Sequence, residues 1–96
     1  MTTISKPLSA AHREAAHREE TRTQVAVLTQ DWSAEIVRST GARAVEVQSE
    51  ALDAVFSLVT ERGHGEIAAT APREQGLPAV VQHINYELNR LDAYHS

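Results

Sequence analysis

The chain has 96 residues, a net charge of −4 and no cysteine. That bounds it to one small domain and removes disulfides and thiolate chemistry from consideration. Apolar residues make up 42% of the chain, but many are alanine and only four side chains are aromatic, so the core is thin and self-association would help to offset the deficit.

Residues 1–8 read as a loose arm, because Pro7 interrupts any helix and little else here could hold the segment down. Ser9 is a plausible N-cap. The stretch after it repeats Ala-Ala-His-Arg-Glu at 10–14 and 15–19, with Glu14 and Arg18 at a favourable i,i+4 spacing. This predicts a helix over about 9–20. Alanine stands where a core stripe should be, so the helix is expected to be a solvated extension; an alanine strip packed against another helix is the other reading. His12 and His17 are five apart, the wrong spacing for two metal ligands on one face.

Thr21-Arg22-Thr23-Gln24 matches a capping box and suggests a new helix over about 22–39, although it could equally lie inside a longer one. Val25, Leu28, Trp32 and Ile36 then form one helical stripe. A second stripe follows in Val45, Leu52, Phe56 and Val59, supported by Val55. At about 100° per residue the two stripes fall on opposite sides of any single straight helix. Gly41 stands between them and is the residue type that ends helices in a left-handed conformation. The expectation is a helical hairpin, about 22–39 and 42–62, turning at Gly41.

Arg62-Gly63-His64-Gly65 reads as a turn. Its histidine is expected to be a polar residue at a helix stop, with a catalytic or pH-sensing role as the sharper alternative. Residues 63–76 form a linker in which Ile67 anchors to the core and Gly76 closes the segment. Leu77-Pro78 opens an amphipathic helix over about 77–94, with proline in the first turn where its missing N–H costs nothing. Val80, Val81, Ile84, Leu88 and Leu91 make its apolar face, continued by Tyr94. The fold class is all-α: a small bundle built on the hairpin plus this helix.

Chemistry is sparse. His83 and Glu87 have the spacing of two metal ligands, with His64, His95 or Asp53 as conceivable thirds, but they sit on a polar face and read as a solvated contact. A Gly-x-Ser-x-Gly elbow and phosphate-binding glycine loops are both missing. No catalytic, metal or cofactor residue is therefore assigned. Residues 23–66 carry seven acids against three arginines, and no basic stripe interleaves with aromatics, which argues against direct nucleic-acid binding. No apolar run approaches the roughly 20 residues of a membrane span, and no secretory signal is evident, so a cytoplasmic location is expected.

The expected function is a non-enzymatic protein–protein interaction module: a homo-oligomeric adaptor, an assembly factor or a small acidic inhibitor. Its partner is expected to be a second copy of the chain. The candidate interface residues are Leu28, Trp32, Ile36, Val80, Ile84, Leu88 and Leu91. A helical coat on an apolar granule or membrane surface is the alternative, and an enzyme or metal-binding bundle a more distant one.

Overall fold

A computed structural model describes residues 10–95; the arm expected over 1–8 lies outside them. Four α-helices form, α1 (Ala10–Arg38), α2 (Gly41–Glu61), α3 (Gly65–Thr70) and α4 (Leu77–His95), with a single 3-10 turn at Arg73–Gln75 and no strand among the described residues. The fold is all-α, as expected from the periodicity. None of these helices is long and apolar enough to cross a membrane.

One expected boundary is absent. Helices over 9–20 and 22–39 were anticipated, and α1 runs through both as 29 residues without a break. The Thr21 hydroxyl explains why the capping box does not act: it donates to the His17 carbonyl one turn back, at 2.8 Å, instead of receiving an N–H ahead. Thr23 does the same toward Glu19 at 3.1 Å. The expected solvated extension is also shorter than 9–20. Residues 10–17 are exposed, but Arg18 and Thr21 are buried, so α1 docks about a turn before the apolar stripe begins.

The hairpin forms where expected. Thr40 is extended and Gly41 opens α2 at φ +60°, a conformation that suits glycine. The Ser39 hydroxyl donates to the Glu35 carbonyl at 2.8 Å and closes the end of α1. At the far end of the pair, Arg62 reaches Glu20 and Thr21 across the helices, so α1 and α2 are antiparallel. Residues 63–76 are more ordered than a linker: α3 and the 3-10 turn return alongside α2, with Ile67 buried and Arg73 paired to Asp53 at 2.7 Å. Helix α4 therefore starts near Gln48 and ends where Asp92 meets Arg18. It runs parallel to α2 and antiparallel to α1.

The core is shared among the four helices. Val25 from α1, Ala51, Leu52, Val55 and Val59 from α2, Ile67 from α3, and Leu77, Val80, Ile84 and Leu88 from α4 form one buried cluster. Two stripe members expected inside are outside: Val45 is 71% exposed and Tyr94 82%. Val47 is buried in place of Val45. Helix α2 touches α1, α3 and α4, so its buried arc is wide and centred on Val47, Ala51, Val55 and Val59, which turns Val45 to solvent. Tyr94 lies in the last turn of α4, beyond the deepest core residue on that helix, Leu88.

Candidate functional site

Among the described residues, two gatherings of side chains outside the core stand out as candidate sites. The first lies near the hairpin end. Trp32 rests its indole against the core cluster and is only half-buried. Its outer edge borders an open recess of about 380 Å³ lined by Asp31, Glu35, Arg43 and Glu50. The arginines on this rim are engaged at home: Arg38 pairs with Glu35 at 2.9 Å, and Arg43 lies 3.5 Å from Glu46 and 3.8 Å from Glu50. Residues 31–53 hold five carboxylates (Asp31, Glu35, Glu46, Glu50 and Asp53) against two guanidinium groups (Arg38 and Arg43). The recess thus has an aromatic floor and a negative rim.

The second place lies at the opposite end, where α1 meets the Arg62-Gly63-His64 turn and the last turns of α4. Arg62 organises it. Its side chain donates to Thr21 Oγ1 at 3.1 Å, to Glu20 at 2.7 Å, and to His17 Nδ1 at 3.2 Å. His17 Nε2 in turn lies 2.7 Å from the Arg62 carbonyl oxygen. A carbonyl can only accept, so His17 carries its proton on Nε2 and accepts from the guanidinium through Nδ1. Beside this exchange, Arg18 is 6% exposed and its Nε donates to Asp92, whose other oxygen takes Arg22 at 2.8 Å. Hydrogen bonds, first from Arg18 and then from Arg22, hold the Asp92 carboxyl below its ordinary value against the opposing effect of burial.

His64 completes the junction. Its ring centroid stands 5.8 Å from that of His17. Burial, then His17, Arg18 and Arg62, push the His64 imidazole below its usual value. Its Nε2 is sealed from solvent and has no hydrogen-bond partner. An open cleft of about 430 Å³ lies alongside, bordered by Arg13, His17, Arg62 and His64.

The residues singled out from sequence divide cleanly by location. Val80, Ile84 and Leu88 are wholly buried within the chain's own core, which leaves them no surface to offer an interface in this fold. Leu28, Trp32, Ile36 and Leu91 are half-buried and packed against that core. The expected His83–Glu87 contact is replaced by two others: His83 Nε2 lies 3.0 Å from the Thr70 hydroxyl, and Glu87 approaches Arg90 at 3.7 Å. No group of three or more metal-ligating side chains occurs among the described residues. The junction at His17, Arg18, Arg62 and Asp92 was not foreseen, since its His17–Arg62 and Arg18–Asp92 pairs join residues 45 and 74 apart. One signal pointed to it: positions 18 and 21 extend the Val25, Leu28, Trp32 stripe upstream at the same helical steps.

Comparison with known proteins adds no direction to this geometry: no family model matches the chain, and no curated protein or solved structure matches it either.

Proposed function

We propose that the protein is a non-enzymatic interaction module that captures a basic, amphipathic helix of another protein in the acid-rimmed Trp32 recess. The observation that carries this reading is the half-buried indole surrounded by Asp31, Glu35 and Glu50. An aromatic anchor within a charged, solvated rim has the anatomy of an interface hot spot, where a few large side chains supply most of the affinity and the rim sets register and choice of partner. The negative excess across residues 31–53 favours lysine and arginine on the incoming face.

The same charge works against the self-association expected from sequence, because a two-fold interface at this recess would bring like rims together. The core reinforces the point. Among the described residues eleven apolar side chains are buried within one copy, so the bundle does not need a second copy to hide its central residues. A cysteine-free chain suits the reducing cytoplasm, where we place the module.

Trp32 is the sole tryptophan and so reports directly on its own recess. Titration with a helical peptide of leucine and lysine should shift its emission saturably, weaken as salt is added, and fail with the leucine–glutamate counterpart. Light-scattering mass should remain that of one chain throughout dilution in the absence of peptide. Equal response to both peptides would sink the charge argument, and a stable dimer with solvent-shielded Trp32 would assign the recess to a second copy.

A further inference from the structure

The turn that begins with Arg62 holds α1 by more contacts than a helix stop requires. Within it, the His64 backbone is pinned on both sides: its N–H donates to the Val59 carbonyl at 2.9 Å, and its own carbonyl accepts from Ile67 and Ala68 at the start of α3. A backbone movement that carried the ring away would therefore disturb either α2 or α3. Its Nε2 is closed to water and to hydrogen-bonding groups, and no anion in the neighbouring cleft could reach that atom as it stands. A neutral imidazole tolerates this setting at the cost of one unmade bond. An imidazolium does not, because both nitrogens must then donate and the charge must be solvated.

The surroundings of His64 can be taken element by element. From α1 come His17, Arg18, Arg13 and Glu14, with Arg18 held by Asp92. The turn contributes Arg62, which is tied to Glu20. On its other side α3 presents Glu66, and α4 presents Glu87 and Arg90. Glu66 favours a charged ring, but burial, His17, Arg18 and Arg62 each oppose it more strongly.

We propose that His64, clamped between His17 and Arg62, is an acid-sensitive latch that holds the first half of α1 against the 62–64 turn when neutral and releases it when protonated. Release frees the ring to hydrate both nitrogens, separates it from Arg18 and Arg62, and breaks the exchange in which Arg62 and His17 each donate to the other. The sign follows from linkage. An imidazole whose closed-state value lies below the ordinary 6.5 binds fewer protons closed than open. The closed form is thus fully favoured above about pH 6.5 and loses ground as the pH falls below it. This latch stands apart from the Trp32 recess and does not depend on what that recess binds.

The test is amide hydrogen exchange at residues 17–25 and 59–68, corrected for intrinsic rates, on the full chain at about pH 7.5 and about pH 5.5. Wild-type opening of this junction should increase with acid, by at most about tenfold, the ceiling set by an open-state value near 6.5. His64→Gln cannot charge and should abolish the increase, while His17→Gln should retain it. Protonation of His64 is followed independently in the wild-type protein by its ring-proton resonance, which should titrate below 6.5. Titration at or above that value, an acid response that survives in His64→Gln, or one that disappears only in His17→Gln, would each overturn the latch.

Discussion

Arg18 is a buried cation in a segment of α1 that the sequence reading expects to be a solvated extension. Its carboxylate partner, Asp92, is 32% exposed and is shared with Arg22. Removing Asp92 would strand a nearly dry guanidinium, so Asp92→Ala should cost about 2 kcal/mol, less than a fully buried pair because water still reaches the carboxylate. Asp53→Ala is the control: both groups of the Asp53–Arg73 pair are largely exposed, at 65% and 44%, and its loss should stay under about 1 kcal/mol. Urea unfolding of the two variants checks the ranking. Acid adds a second measurement. Because Arg18 and then Arg22 hold the Asp92 carboxyl below its ordinary 3.8, the stabilisation is present above that value and disappears as the pH falls below it. Asp92→Asn should flatten that part of the stability curve. None of this was legible residue by residue, since pairing at a separation of 74 depends on how α4 returns.

The elements themselves were largely legible, and the exceptions share a cause. Helix α4 and the break before α2 follow from periodicity, a first-turn proline and one glycine, all local signals that tertiary contacts did not overrule. The division of α1 at Thr21 failed because a threonine hydroxyl can satisfy a carbonyl behind it as readily as an N–H ahead, and the choice depends on Arg62 arriving from α2. Val45 failed as a core residue because a helix with three neighbours buries an arc that its own pattern cannot centre. Gly41 provides the test at this scale. A Cβ there meets nothing within 4 Å, so any penalty comes from φ +60° alone. Gly41→Val should destabilise by about 1–2 kcal/mol and Gly41→Asn by less, since asparagine tolerates the left-handed region. Thermal melts of the two would separate conformational strain from packing.

At the level of the whole molecule, one cluster joins α1, α2, α3 and α4, so damage at its centre should be felt everywhere at once. Ile84 is fully buried, and Ile84→Ala should cost about 2–5 kcal/mol with a single cooperative transition, monitored by circular dichroism and Trp32 fluorescence together. Discordant transitions would mean that the hairpin end holds together without α4. The candidate site was partly legible at this scale: Trp32 stood out as a lone aromatic in an aliphatic stripe, but completing its acidic rim required α2 to bring Glu50 across the turn. The return of α3 and the 3-10 turn along the bundle has a mechanical consequence. It brings the last turns of α4 back to the first half of α1, so the two ends of the described chain lie at the same end of the molecule. A stretching force applied through them would load the Arg18–Asp92 pair first and peel α4 away contact by contact, instead of shearing the whole interface at once. Such a bundle should yield at low force and re-zip from the hairpin end when the tension is relaxed.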